Sequence, residues 1–357
     1  MTAKIDSVRV RAVRVPMTPH QTASGTVTES PLVLTDVRDS EGVSGHSILF
    51  TYTAAALKPV ADLVANIAPL ITGDALAPAE TAQKLARRFR LLGTQGLVGM
   101  ALAGIDMALW DALARSREMW LARLLGSVEK PVPAYGAIGF DGPSPSAAAA
   151  EDWARRGFTG VKAKIGYASV AADLAVVRAI RSAVGEGIAL MVDYNQSLVP
   201  ADAIERLRPL DDCGLTWIEE PTLAHDYQGH ARIAREIRTP IQCGENWWGT
   251  LDMRHAIEAG ASDYMMPEVM KIGGVTGWIR AAGLGEVHGI RLSNHLWPEV
   301  SAQLLCATPT AHWLEYADWW NPILKEPLRV EGGMARVEGV IGSGVEWDED
   351  AVVRYAA

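Results

Sequence analysis

Three carboxylates recur at a fixed interval along the chain. Asp193, Glu219 and Glu245 stand 26 residues apart, and each closes a short apolar run. The runs are IALMV (188–192), LTWI (215–218) and IQCG (241–244), and a helical pattern follows each one. A strand buried on both faces reads as such a run, and one strand-helix unit takes about 30 residues. Three successive units therefore put an acid at the same end of three parallel strands. In a closed barrel those ends converge, and three oxygen ligands suit a hard divalent cation. Taken singly, each acid also reads as a surface residue opening a loop. The common register is what argues for a shared site.

The rest of the chain supplies the barrel. From about residue 130, strand and helix alternate. Strands at 131–135, 159–165, 188–193, near 215, 241, 262 and 291, and at 312–316 are separated by helical patterns. These helices fall at 146–156, 170–184, 200–208, 227–237, 250–259, 275–288 and 298–307. Eight such strands predict an α/β fold, a modified (β/α)8 TIM-type barrel. Ahead of it, residues 4–15, 31–37 and 44–50 read as strands and 53–70, 78–91 and 97–116 as helices. Strands followed by helices form a separate α+β capping domain. Asp106 and Asp111, inside the last helix, read as structural. Residues 17–30, rich in Thr, Ser, Gly and Pro, read as a loop able to cover a site. The expected division is a cap at 1–128, a barrel at 129–325, and a segment at 326–357 that returns to the cap.

Composition narrows the function. The 357 residues are 49% hydrophobic and 21% charged, enough for a large core. A net charge of -9 argues against a nucleic-acid binder and gives no reason to invoke an anionic membrane. Three cysteines without a CxxC indicate neither a disulfide framework nor zinc, and a cytoplasmic, reduced chain is expected. The first 15 residues lack the apolar core of a signal peptide, and no uncharged apolar run approaches membrane-span length.

The other strand ends carry chemistry. Lys162 and Lys164 alternate on the second barrel strand, so they share a face. Outward they are a solvated pair; inward they meet the acids, where a lysine's pKa can fall enough for it to act as a base. Asn195 faces as Asp193 does if the strand continues. Glu268, His295 and Glu315 close the sixth, seventh and eighth runs. Strands two and seven flank the centre from different sides, so Lys164 and His295 can meet one carbon from opposite faces. Glu268 can hold the imidazole and raise its basicity. His46, His225, His255 and His312 read as surface or packing residues. Trp247 and Trp248 serve either as walls of the mouth or as packing, and Gly273-Gly274 is a weak anion-cradle signal. Taking a proton from the carbon beside a carboxylate creates an unstable dianion. A divalent metal and a cationic Lys162 would stabilise it, and a protonated Glu315 would donate a hydrogen bond.

These residues resemble the enolase superfamily, mandelate racemase subgroup, along nearly the whole chain. The stretches that carry the likeness are VKAKIGY (161–167), MVDYNQS (191–197), WIEEPT (217–222), CGENW (243–247), MKIGGVTGW (270–278), SNHL (293–296) and ATPTAHWLE (307–315). The resemblance implies Mg2+ held by Asp193, Glu219 and Glu245. It makes Lys164 the base for one enantiomer and His295, paired with Glu268, the base for the other. Lys162 and Glu315 match residues that bind the substrate carboxylate, and Asn195 matches one near the substrate hydroxyl. A small carboxylate substrate and a homo-oligomer, with an octamer the expected form, are also implied. The muconate cycloisomerase branch carries lysine at the position of Glu268, so Glu268 with His295 favours the racemase branch. Three positions depart from the pattern. Glu268 replaces an Asp, Ala137 replaces a serine that helps hold the carboxylate, and the flap at 21–28 is polar where an apolar one is usual. The leading expectation is an isomerase that racemises a 2-hydroxy acid through an enolate. The alternative is a lyase that dehydrates an acid sugar, which the polar flap favours. A third reading is a catalytically inactive binding protein.

Overall fold

The computed structural model describes residues 3–22 and 25–357. The chain opens with β1 (Ile5–Thr22), β2 (Gly25–Asp39) and β3 (Ser44–Phe50), an antiparallel sheet in that order. Helices α1 (Ala54–Ile67), α2 (Pro78–Arg88), α3 (Gly96–Arg115) and α4 (Leu121–Leu124) complete the cap. The expected covering loop at 17–30 is instead the far end of the β1–β2 hairpin. A register shift between Pro16 and His20 lets the ladder resume at His20↔Val27 past two prolines. Residues 23 and 24, part of the stretch 21–28 expected as a polar flap, lie outside the described residues.

The barrel begins with β4 (Val132–Ile138), α5 (Pro143–Arg155), β5 (Gly160–Lys164), α6 (Val170–Val184) and β6 (Ala189–Asp193). It continues through α7 (Pro200–Leu207), β7 (Ile218–Glu219), α8 (Tyr227–Glu236), β8 (Ile241–Cys243) and α9 (Thr250–Ala259). Then come β9 (Tyr264–Met265), α10 (Val269–Ile272), α11 (Gly274–His288), β10 (Arg291–Leu292), α12 (Pro298–Ala307) and β11 (Leu314–Tyr316). Strands β4 to β10 pair in parallel in sequence order and β11 pairs with β4. A parallel bridge from Leu292 to Ala311 closes the ring between β10 and β11. The sequence places its local signals well. Pro143, Pro200 and Pro298 open α5, α7 and α12, where a missing N–H costs nothing. Ser169 caps α6 by accepting from Ala172 N.

The C-terminal segment divides its contacts. β12 (Arg329–Glu331) and β13 (Met334–Arg336) form a hairpin whose second strand pairs antiparallel with β4, on the barrel. Beyond it the chain returns to the cap with α13 (Glu349–Arg354). Trp347 Nε1 donates to Asp36, and Ala356 bridges Val13.

Helix α3 fits its reading as a cap helix with structural acids. It is long and apolar enough to cross a membrane by composition, yet 72% of that window is buried within the protein. Its two acids are partnered. Asp111 accepts from His46 N and Ser343 N and pairs with Arg115. Asp106 accepts from Thr276 N at 2.9 Å and Thr276 Oγ1 at 2.5 Å. The glycine pair at 273–274 therefore makes room for an internal carboxyl group, whose burial raises its pKa to about 7. A Cβ on Gly274 would meet Asp106 Oδ2 at 2.3 Å, so the residue must be glycine for the acid to seat on the start of α11.

Beneath the mouth, Tyr135, Met191 and Trp217 fill the barrel centre, with Tyr264 and Trp313 packed against them. His312 joins this cluster, its ring 4.5 Å from Tyr264, and its Nδ1 is buried without a partner. Burial lowers His312 and His230 to about 4 each. Between roughly pH 6.5 and 4 the unfolded chain binds these protons and the folded chain does not, so stability falls as pH drops through that window. We predict that the urea midpoint declines from pH 7 to pH 4.5 and that His312→Phe reduces the decline. An unchanged slope in the variant would rule out His312 as a contributor.

Candidate active site

Every sequence-predicted site residue lies at the C-terminal end of the barrel strands or directly beyond it. The strands are shorter than the sequence suggested. Glu245, Glu268 and His295 follow the last paired residues of β8, β9 and β10, and an isolated bridge joins Glu268 to His295. Asp193 and Glu219 are register partners on β6 and β7, so they share the inner face. Glu219 in turn pairs with Gln242, three residues before Glu245. Simple alternation would send Glu245 outward. Gly244, at φ 141°, changes the direction of the chain and brings Glu245 back to the centre. A Cβ there would meet Met266 N at 2.9 Å. As a result, one carboxylate oxygen from each of Asp193, Glu219 and Glu245 lies within 4.8 Å of the others.

Two lysines and a histidine surround these buried acids. Lys162 Nζ is 2.5 Å from Glu219 Oε1, 2.8 Å from Glu315 Oε1 and 3.8 Å from Asp193 Oδ2. Lys164 Nζ is 3.1 Å from Asp193 Oδ2 and donates to Asn195 Oδ1 at 2.5 Å. His295 Nε2 is 3.1 Å from Glu245 Oε2, while its Nδ1 meets Glu268 Oε2 at 2.6 Å. Both lysines thus point inward. The strand stops at Asp193, and Asn195, two residues beyond β6, takes a left-handed conformation (φ 42°) and donates to Asp193 Oδ2 at 2.8 Å.

The electrostatics correct two expectations. Burial disfavours the charged form of Lys164, but Asp193 outweighs it, and the pKa is raised rather than lowered. Burial also pushes Glu315 toward its protonated form. Lys162 and His295 outweigh that push and hold its carboxyl below the usual range, so it is an ionised partner of Lys162 and not a proton donor. For His295, burial is overcome by Glu245, Glu315 and Glu268, and the imidazole pKa is raised, as the Glu268 pairing implied.

The three acids fit a hard divalent cation. They are all-oxygen donors in a dry pocket, and Glu245 Oε2 is buried with no hydrogen bond, since the nearby His295 Nε2 lacks the alignment for one. Like charges this close are otherwise hard to keep ionised together. Burial, with Asp193 and Glu245 as neighbours, raises Glu219 despite Lys162.

Several neighbours escaped the sequence reading. Tyr52, on the cap, donates its hydroxyl to Glu268 Oε2. Lys271 Nζ is 3.6 Å from the same oxygen and donates to Asn246 Oδ1, while Asn246 Nδ2 donates to Glu220 Oε2 and Glu245 Oε1. His20 projects from β1, its ring 5.2 Å from Trp319, and its Nε2 is buried without a partner. Burial, aided by the charge of Lys164, lowers its pKa to about 4, so the ring is neutral near pH 7. No local pattern marks Tyr52 and His20, because both reach the site from the cap, whereas Glu220, Asn246 and Lys271 sit within three residues of Glu219, Glu245 and Glu268. Trp247 is core packing, 2% exposed. Ala137 faces inward beside Lys162 in register and offers no donor.

A barrel mouth with this acid triad, a lysine pair and a carboxylate-histidine pair defines a class of proton-abstracting enzymes. Residues 5–126 match the mandelate racemase / muconate lactonizing enzyme N-terminal domain, and residues 146–351 match the enolase C-terminal domain-like family. The chain belongs to the enolase superfamily, in its mandelate racemase / muconate lactonizing enzyme branch. A solved enolase from Bradyrhizobium, complexed with magnesium and mandelic acid, is 45% identical, with a TM-score of 0.95 over 100% of this chain and 99% of that one. The L-talarate/galactarate dehydratase of Salmonella typhimurium is 30% identical over 91% of this chain and 82% of its own length. The 3,6-anhydro-alpha-L-galactonate cycloisomerase of Streptomyces coelicolor is 30% identical over 99% of both chains.

A bound cation stabilises the folded state by about 2.7 kcal/mol at a hundred times its Kd. Magnesium should therefore raise the wild-type melting temperature, and Glu245→Gln should lose most of that rise. An equal rise in both proteins, measured by calorimetry with a chelator control, would place the cation elsewhere.

Proposed function

We propose that this protein is a Mg2+-dependent enzyme that removes the α-proton of a 2-hydroxy carboxylate and returns a proton to the opposite face, racemising it through an enolate. The observation that carries this reading is the placement of two proton-transfer groups at opposite ends of the acid triad. Lys164 stands 3.1 Å from Asp193 at one end, and His295 stands 3.1 Å from Glu245 at the other. A divalent cation on Asp193, Glu219 and Glu245 would supply Lewis-acid stabilisation of the charge that develops on the carboxylate.

The chain's own groups do the rest. Lys162 stays cationic, since Glu219 and Glu315 raise its pKa against the penalty of burial, and it is a fixed positive charge for the carboxylate. With a cation held by Asp193 to offset the charge that does most to keep it protonated, Lys164 would be available as a base. His295 works from the other face, oriented through Nδ1 by Glu268. Buried aromatic residues beneath the site exclude water and keep these charges effective.

A second reading, dehydration of an acid sugar with His295 protonating a leaving β-hydroxyl, is favoured by one observation. His20 brings a neutral, unpartnered ring nitrogen to the polar hairpin over the site, suited to a substrate hydroxyl. The dehydratase relative at 30% identity supports the same reading.

Incubation with magnesium and a panel of 2-hydroxy acids and sugar acids in D2O, followed by NMR and polarimetry, separates the two. α-Proton exchange with loss of rotation supports racemisation, and a 2-keto product supports dehydration. No exchange with any acid would refute both. Lys164→Ala should abolish exchange from one enantiomer and leave some from the other. Equal loss from both would sink the assignment of one base to each face.

A further inference from the structure

We propose that Tyr52, together with Lys271, is a positioning residue for the His295 base, so that the cap sets the geometry of one of the two proton-transfer groups. This rests on the two-base reading above.

The case begins with a residue whose conformation packing does not explain. Tyr52 follows β3 with φ 58°, a left-handed backbone that a bulky aromatic residue adopts only under strain. Its side chain is not a core residue either, for 41% of Tyr52 is exposed. What the strained backbone achieves is the aim of the ring. Phe50 packs against it with centroids 4.8 Å apart, and its hydroxyl reaches across the domain boundary to donate to Glu268 Oε2. Although part of the residue is exposed, its hydroxyl end is buried, and that burial together with the Glu268 charge raises the phenol pKa well above its usual value, which keeps the donor proton in place.

The same carboxylate oxygen is the one that holds His295. Glu268 Oε2 receives His295 Nδ1 at 2.6 Å and lies 3.6 Å from Lys271 Nζ, while Glu268 Oε1 is buried and unpartnered. Lys271 also sits 4.5 Å from the Tyr52 ring centre, a cation–π contact that ties the two clamping groups together. A glutamate has one more rotatable bond than an aspartate, so its carboxylate is harder to place. Clamping one oxygen by Tyr52 and Lys271 removes that freedom and fixes the direction of the imidazole. Tyr52 would therefore act through Glu268 rather than by taking part in proton transfer.

The clamp serves only one face, and that makes it testable. Lys164 is oriented by Asp193 and Asn195 and shares no contact with Tyr52. In the magnesium-loaded enzyme, exchange of the α-proton of (R)- and (S)-mandelate in D2O is measured for wild type, Tyr52→Phe, Lys271→Met, Lys164→Ala and His295→Asn. The last two identify which enantiomer each base serves. Tyr52→Phe should lower exchange of the His295-served enantiomer by about 10-fold, chiefly in kcat, and leave the other within about twofold. Lys271→Met should show the same asymmetry. Equal losses for both enantiomers, or none, would overturn the proposal. If Lys164→Ala and His295→Asn fail to separate the enantiomers, or mandelate does not exchange, it is the two-base reading or the choice of acid that fails. A crystal structure of magnesium-loaded Tyr52→Phe then decides the clamp by itself. A displaced Glu268 carboxylate and a turned His295 ring support it, and an unchanged pair refutes it.

Discussion

Three carboxylates held within 4.8 Å of one another in a buried pocket are the constraint around which the molecule is arranged. Such a concentration of negative charge is costly in a low-dielectric interior unless cations compensate it. Lys162, Lys164 and His295 do so from three sides. The compensation also sets the chemistry. The same groups that make the acids tolerable are cationic, directional and poised around the place where a substrate carboxylate and its α-carbon would lie. Moving any one of them changes the charge state of the others, as Lys164 and Glu315 show by shifting opposite to the directions that burial alone would give.

The barrel cannot build this environment alone. Its upper end is completed by the cap, and the joints between the two are polar and specific. Asp106 of α3 seats on the start of α11, Trp297 Nε1 donates to Ile48 O, and Phe140 N donates to Gln21 O beside His20. Tyr52 extends the same junction to Glu268. These contacts tie the position of the cap to the position of the β9 and β10 strand ends. The two domains therefore share one active centre, although the sequence presents them as successive units.

Much of the site was legible because β-structure has a period of two and a strand-helix unit has a characteristic length. Those two regularities bring Asp193, Glu219 and Glu245 to the same end of successive strands, turn Lys162 and Lys164 to one face, and place Glu268, His295 and Glu315 at or just beyond strand ends; Gly244 then turns Glu245 inward. The errors arose where a local pattern has more than one solution. A Thr-rich, Pro-containing stretch at 17–30 read as a loop, yet a register shift at Pro16 lets it continue as a hairpin. The charge states of Glu315 and Lys164 depend on neighbours that lie far away in sequence.

By itself, the sequence determined the barrel, its strand order, the metal-ligand triad and the identity of both candidate bases. The barrel and the strand-end positions of the acids follow from periodicity, a local property of the chain, while the roles of Lys164 and His295 come from the family resemblance. Tertiary structure alone decided which groups share an oxygen or a charge. It brought Tyr52 to Glu268 across 216 residues, left the His20 ring nitrogen unpartnered, and used Gly244 to return Glu245 to the centre. Hydrogen-bond reach and the local dielectric are set by distances between remote segments, and those distances exist only once the cap has closed on the barrel.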